Sequence, residues 1–181
     1  MDKKIVISNR AKHIRLAISV EGVKIVIPKY IRNKKFWINK ILKERREWIR
    51  KNIKKFSQKK QIKVPKIKII NGKKIEGKKL MELVKKEIKK EVEKESKKMG
   101  VSYKKIYIRN QKTLWGSCSR KSLSFNYKIY FLPKKIRRYI IIHELCHLIY
   151  PNHKKAFWEK IKKFCPEVSS IRKRLRNFCI S

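Results

Sequence analysis

The first thirty residues alternate between apolar and polar positions, as expected for β-strands. Alternating isoleucine, leucine and valine positions mark three short runs at residues 5–7, 14–18 and 23–27. Glu21-Gly22 predicts a tight turn that joins the last two runs as a hairpin, which ends at Pro28. From about Asn33 to Phe56 the apolar spacing becomes helical. This part of the chain therefore predicts a β-hairpin followed by one long basic helix.

Residues 57–66 have no periodicity, and their lysines, glutamines and proline are typical of a linker. We therefore predict two domains: a small β-hairpin and helix unit over residues 1–60, and a larger domain over residues 61–181. The larger domain is expected to begin with a helix from about Lys78 to Met99, because apolar residues recur there every three or four positions and Gly100 supplies a helix stop.

Short strands and helices alternate in the rest of the chain. Strands are expected at residues 105–109, 113–118 and 123–131, with Arg120-Lys121 as the turn between the last two. Pro133 predicts the start of a helix through Tyr150. Two more helices are expected, one from about His153 to Phe164 capped by Asn152, and one after Pro166. The mixture of a short sheet with several helices predicts an α+β fold.

The charge is the unusual feature of the composition: 54 lysines and arginines against 13 acidic residues give a formal net charge of +41. Such a charge attracts polyanions, so a nucleic-acid partner is one interpretation. A lysine- and isoleucine-rich composition with a solvated basic surface is the other. Because the sequence has no long apolar run and no secretion signal at its start, we expect a cytoplasmic protein with no membrane partner. Its four cysteines form no Cys-x-x-Cys pair, and we expect them to be reduced.

Three of the four histidines lie within residues 143–153, in the string H-E-L-C-H-L-I-Y-P-N-H. Two histidines four positions apart project from one face of a helix, so His143 and His147 can bind one metal ion. His153 can supply a third ligand if the chain reverses at Pro151-Asn152. Three histidines and an open position are typical of catalytic zinc, whereas structural zinc sites have four protein ligands.

Glu144 follows the first histidine and points about 100° around the helix, beside the metal but outside its ligands. It is expected to take a proton from the zinc-bound water and deliver it to the leaving amine, which makes hydrolysis of peptide bonds the predicted reaction. The alternative for this string is a set of histidines that are hydrogen-bonded in the core or at the surface.

Other residues with chemical side chains favour structural roles. Cys146 lies among apolar helix positions and is expected to be a core thiol, and Cys118 has no neighbouring histidine to make it a nucleophile. Trp115 and Trp158 are expected to pack, and His13 is expected to be an ordinary histidine. Tyr127, Tyr130 and Tyr150 are equal candidates for stabilising an oxyanion.

The motifs together resemble the YgjP-like metallopeptidases, relatives of the SprT-like and WLM zincins. The resemblance extends over nearly the whole chain. It is carried by H-E-L-C-H, by N-H-x-x-x-F-W at Asn152–Trp158, by K-T-L-W-G-S-C-S at Lys112–Ser119 and by S-F-N-Y-K-I-Y-F-L-P at Ser124–Pro133. Leu114 departs from the family, which usually has arginine there.

This resemblance implies a zincin-like catalytic domain with a short sheet and an active-site helix. It implies that His143, His147 and His153 bind Zn2+ and that Glu144 is catalytic. It also implies that the strand at 123–131 forms the rim of the cleft, where its open edge pairs with an extended substrate. The SprT-like relatives act on proteins attached to DNA, an analogy that makes nucleic-acid association attractive here.

We therefore predict a zinc metallopeptidase of the HExxH type that acts on proteins or peptides. The alternative is a nucleic-acid-binding protein, through the basic helix and its Trp37 and Trp48, with a structural or vestigial zinc site. Hydrolysis of another amide or of an ester is a third interpretation.

Overall fold

The computed structural model describes residues 3–19, 22–70 and 73–180. The chain divides into two compact units, Met1–Lys60 and Gln61–Ser181. No helix in the described part of the chain is both long enough and apolar enough to cross a membrane.

The first unit is a small three-stranded sheet with helices. Its elements are β1 (Lys3–Ser8), β2 (Arg15–Ser19), β3 (Gly22–Pro28), α1 (Lys34–Glu44) and α2 (Arg46–Ser57). The two-residue strand β4 (Lys60–Gln61) includes the last residue of this unit and the first residue of the next. β3 is central, pairing antiparallel with β2 and parallel with β1. The predicted hairpin of β2 and β3 is confirmed, although its turn residue Glu21 lies outside the described residues.

The long helix predicted from Asn33 to Phe56 is wrong in one respect, because it is interrupted at Arg45. Arg45 has φ −100° and ψ 14°, outside the helical range. Neither proline nor glycine stands there to explain the break. Ile25 and Ile27 of β3 are fully buried and form the core of this unit with partly buried residues of both helices.

The second unit contains most of the helices. Its elements are β5 (Ile67–Ile70), β6 (Lys73–Glu76), α3 (Gly77–Met99), β7 (Lys105–Arg109), β8 (Gly116–Ser119), β9 (Ser122–Asn126), a 3-10 helix (Tyr127–Phe131), α4 (Lys134–Cys146), α5 (Lys155–Phe164), α6 (Val168–Leu175) and β10 (Phe178–Cys179). With helices beside short sheets, the predicted α+β fold is confirmed.

The prediction that residues 123–131 form one strand with an open edge at the rim of the cleft is wrong. The first part of this range, β9, is the central strand of the sheet β7-β9-β8, parallel to β7 and antiparallel to β8. The second part is the 3-10 helix. The change follows Asn126, which is fully buried and whose Oδ1 accepts the backbone N–H of Lys128, as in an Asx turn. The outer strand beside α4 is therefore β8, and its predicted turn at Arg120-Lys121 is confirmed.

Two arginine–glutamate ion pairs join α4 to α3. Arg137 binds Glu91 through Nε and Nη2 at 2.8 and 2.6 Å, and Arg138 binds Glu95 in the same way at 2.9 and 3.0 Å. Bidentate pairs of this kind fix geometry as well as adding energy. Together with the fully buried Ile141, Ile142 and Leu145 of α4, they hold the helix that carries the histidines.

Four of the described strands, β4, β5, β6 and β10, were absent from the prediction. β5 and β6 form an antiparallel hairpin around Asn71-Gly72, whose own placement lies outside the described residues. An Asn-Gly pair between apolar runs is a strong hairpin signal in the sequence. Neighbouring lysines weaken the apolar alternation on either side of it, and no element is predicted over residues 67–76.

Candidate active site

The helix α4 positions the first two residues of the string and ends before the third. His143 and Glu144 lie in its last turn, and His147 is the residue after its end at Cys146. The predicted continuation to Tyr150 is wrong: Leu148 and Ile149 donate to carbonyls three residues back, at 3.1 Å each, so the chain tightens into a turn. Pro151 cannot donate a backbone hydrogen bond, and it disfavours a helical residue before it.

The reversal after this turn brings three imidazoles together. Nε2 of His153 lies 3.2 Å from Nε2 of His143, and one ring nitrogen from each of His143, His147 and His153 lies within 4.8 Å of the others. Two ligands held at 2.0–2.1 Å around a tetrahedral ion lie about 3.3 Å apart. The donor set therefore fits a metal ion such as zinc. In the described part of the chain, no fourth histidine, cysteine or carboxylate joins the group.

Hydrogen bonds orient two of the rings. Nδ1 of His147 lies 3.1 Å from the carbonyl oxygen of Tyr150, which can only accept, so Nδ1 carries the proton and Nε2 keeps its lone pair. Nδ1 of His143 lies 3.4 Å from the hydroxyl of Tyr139, one helical turn earlier. Second partners of this kind fix the tautomer and aim of a metal-ligating histidine.

Two aromatic side chains of α5 pack against the three imidazole rings. The Phe157 ring is fully buried, with its centroid 5.0, 4.7 and 4.7 Å from those of His143, His147 and His153. The Trp158 ring stacks on His153 at 5.7 Å and 24°, and its Nε1–H donates to the His153 carbonyl at 3.0 Å. α5 begins at Lys155, two residues later than predicted, and Asn152 accepts from the N–H of Lys154 instead of capping the helix.

Burial keeps the first histidine neutral. It lowers the pKa of His143 to about 3, helped by the charge that His147 and His153 carry when they are protonated and by the positive charge of Arg172. Burial also lowers the pKa of His153, with the same sign of contribution from His147 and Arg172. Metal ligation requires the neutral imidazole, so this environment favours it.

Glu144 is 7% exposed, and burial raises its pKa to about 7. Its side chain packs against the backbone of Gly116 in β8. A Cβ at Gly116 would lie only 2.7 Å from Cγ and 3.0 Å from Oε1 of Glu144. Gly116 therefore leaves the space that Glu144 occupies.

In the metal-free protein, Glu144→Gln is expected to raise the free energy of unfolding above pH 7 and to leave it nearly unchanged below pH 4.5. Between these values the folded protein keeps a proton on Glu144 that the unfolded chain releases, so stability is lost as the pH rises through the window. A pKa moved from 4.5 to about 7 corresponds to about 3 kcal/mol. Chemical denaturation of both proteins across this pH range measures the difference.

His143 contributes in the opposite direction, since its lowered pKa adds stability as the pH rises from about 3 towards 6.5. That contribution is common to both proteins and cancels in their difference. A difference that did not change with pH would contradict the assigned burial of the Glu144 charge.

The other candidates from the sequence lie in structural positions. Cys146 is fully buried with its thiol 3.6 Å from the Phe157 carbonyl, and burial raises its pKa to about 11. Burial, followed by the negative charge of Glu144, raises the pKa of Cys118, which keeps this thiol protonated. His13 is exposed in the first unit. Tyr127 and Tyr130 pack against the core, as does Trp115.

Three residues at the site were not predicted. The Tyr139 hydroxyl contacts His143, a contact that the spacing of four on one helix could have indicated. Gly116 contacts Glu144 from another element, and Arg172 reaches the site from α6. No local pattern signals the last two, because each depends on how distant segments pack.

Comparison with protein-family models agrees with the family predicted from the motifs. Two solved structures are similar to part of the chain: the metallopeptidase zymogens abylysin of Pyrococcus abyssi and jannalysin of Methanocaldococcus jannaschii. Each is 24% identical with a TM-score of 0.45 and covers 49% of this chain, which in turn covers 90% and 92% of theirs. Curated proteins give no match. The metallopeptidase-domain model of the YgjP-like family matches residues 77–178, more than half of the chain, and the protein therefore belongs to the YgjP-like metallopeptidase family.

Proposed function

We propose that this protein is a zinc-dependent peptidase in which His143, His147 and His153 hold the metal and Glu144 activates water. The observation that carries the proposal is the convergence of three imidazole nitrogens, all within 4.8 Å, next to a carboxylate that is 7% exposed. Three converging imidazoles with a neighbouring buried acid are the groups that metal-assisted hydrolysis requires.

Neighbouring groups orient the histidines that would bind the metal and exclude water from one side of them. The Tyr150 carbonyl and the Tyr139 hydroxyl fix the outer nitrogens of His147 and His143, which leaves their inner nitrogens free to bind. The Phe157 ring excludes water from beneath the three imidazoles. A bound zinc ion supplies Lewis acidity, which lowers the pKa of a water molecule and polarises the scissile carbonyl.

Glu144 acts as the proton carrier. Its carboxylate takes a proton from the attacking water and delivers it to the nitrogen of the leaving amine, so one group serves as base and then as acid. Burial raises the pKa of Glu144 to about 7 in the metal-free protein, and the positive charge of a bound metal would lower it and favour the carboxylate that accepts the proton. Tyr139 stays protonated, since burial raises its pKa to about 12, and it can keep its contact with His143 throughout.

The substrate is proposed to lie along β8 as an extended strand. β8 is an outer strand whose partner in the described sheet is β9, and Gly116 in it contacts Glu144. Strand addition supplies backbone hydrogen bonds and places alternate side chains on opposite sides. A peptide on this edge would pass directly by the proton carrier.

The competing function is nucleic-acid binding with a structural or vestigial zinc site. Exposed Trp37 and Trp48 among the basic residues of α1 and α2 are the observation that favours it. A structural zinc site is closed by four protein ligands. The histidine group has three members among the residues that are described, which favours the open site of an enzyme.

The test compares two exposed histidines in one assay of metal content and hydrolysis. The wild-type protein is expected to hold about one zinc ion per chain and to hydrolyse a disordered protein. His153→Ala should lower metal affinity and activity by at least about 10²-fold, because removing a ligand costs more than removing its supporting partner. His13→Ala should retain both. Equal behaviour of the two variants would contradict the metal site.

The same preparation distinguishes the competing function. A nucleic-acid-binding protein with a structural zinc would bind DNA or RNA with steep salt dependence, hydrolyse no peptide, and unfold when the metal is chelated. Measuring hydrolysis with and without DNA also tests whether nucleic acid localises the proposed peptidase.

A further inference from the structure

Arg172 is held beside the third histidine by an aromatic ring. Its guanidinium carbon lies 4.2 Å from the centroid of the Trp158 ring, and the same ring stacks on His153 at 5.7 Å. The side chain projects from α6, and the residue is exposed to solvent. A positive charge therefore lies against the same aromatic ring as His153.

No carboxylate in the described part of the chain pairs with Arg172. This distinguishes it from Arg137 and Arg138, which are each bidentate to a glutamate. An arginine stacked on a ring makes contact through the face of its guanidinium, and the N–H donors lie in the plane around the edge. Stacking on Trp158 thus orients the guanidinium while leaving donors available.

The two distances to the Trp158 ring place the guanidinium carbon no more than about 10 Å from the His153 ring, a range over which charges interact at moderate salt. An anionic group bound at Arg172 would accordingly lie within electrostatic reach of the reacting centre.

We propose that Arg172 forms a subsite that binds a carboxylate of the peptide substrate next to the histidine cluster. The inference rests on the proposed peptidase function and deepens it by naming the substrate class. Planar guanidinium and carboxylate match in a bidentate pair, which a lysine cannot reproduce. The net charge of +41 attracts acidic peptides in general, whereas Arg172 would bind one carboxylate at a defined place in the site.

A carboxylate near the scissile bond can come from an aspartate or glutamate side chain or from the C-terminus of the peptide. Four peptides separate these sources: an acidic residue or its amide at the centre, each with a free or an amidated C-terminus. The wild-type protein is expected to prefer the peptide with the recognised carboxylate by about 10- to 100-fold in kcat/KM, as for a hydrogen bond to a charged group.

Arg172→Gln is expected to bring that preference close to one, and Arg172→Lys to retain only part of it. Arg174→Gln is the matched control, because two residues along the helix its side chain points about 200° away. The ratio between acidic and amide peptides is the informative readout. If Arg172 only supported Trp158 and His153, its loss would lower hydrolysis of all four peptides equally, and that result would overturn the subsite.

Binding to the Glu144→Gln protein, followed by tryptophan fluorescence, tests the subsite without turnover. Affinity that depends on both the carboxylate and Arg172, in a protein whose wild-type form cleaves no peptide, would reject the peptidase and keep the subsite. Equal affinity and equal cleavage of acidic and amide peptides by the wild-type protein would reject the subsite and keep the peptidase.

Discussion

Glu144→Gln is expected to lower kcat/KM for peptide hydrolysis by about 10²–10⁴-fold while metal binding is retained. Glutamine has the same shape as glutamate, so it can fill the space beside Gly116. It cannot take the proton from water or deliver it to the leaving amine. Since Glu144 is not a member of the histidine group, the metal should remain. Kinetics of a quenched peptide and metal analysis of the same sample measure both effects.

Glu159→Gln is the matched control for this experiment. Glu159 lies on α5 and makes an exposed i,i+4 pair with Lys155 at 3.8 Å, a kind of contact that contributes little. Its replacement should leave both hydrolysis and metal content at the wild-type level. Full activity of the Glu144→Gln protein would mean that another group carries the proton.

Helix α3 and strand β7 of the second unit could be predicted closely because their signals are local. α3 begins one residue from the predicted start and ends at Met99, where Gly100 adopts φ 65°, a left-handed value that glycine reaches without strain. β7 coincides with its predicted range. In each case, periodicity and a terminating residue lie within a few positions of each other.

The order of strands in the sheet could not be predicted in this way. Leu123 to Phe131 alternates like one strand, but the structure bends it into a 3-10 helix after Asn126. The Asn126 amide donates to the carbonyl oxygens of Gln111 and Leu114, at 2.6 and 3.3 Å. Those partners lie in the loop before β8, so the bend depends on contacts that sequence periodicity does not contain.

The candidate site likewise contains residues that the sequence predicts and residues that it does not. The convergence of His143, His147 and His153 follows from spacing on one helix and a chain reversal at Pro151, both visible in the sequence. Arg172 and Gly116 come from other elements. Local spacing therefore indicates which metal chemistry is available, and tertiary packing decides which groups surround it.

Gly116→Ala is expected to lower kcat/KM by about 10²-fold and to lower the free energy of unfolding as well. The new Cβ would lie 2.7 Å from Cγ and 3.0 Å from Cδ of Glu144, closer than atoms can approach, so the glutamate side chain must move. A displacement of about 1 Å in a catalytic group can cost this much in rate. The nearest contact is with Cγ of a buried side chain rather than with its flexible end, so the free energy of unfolding should fall by about 1–3 kcal/mol.

The effect should disappear in a protein that already lacks the carboxylate. In the Glu144→Gln background, Gly116→Ala is expected to cause no further loss, since residues that act through one another are not additive. Ser117→Ala is the matched control, because adjacent side chains on a strand point to opposite faces and Ser117 therefore points away from Glu144. If Gly116→Ala kept wild-type kinetics, or if it lowered the residual activity of the Glu144→Gln protein by the same factor, then the glycine would not act by positioning Glu144.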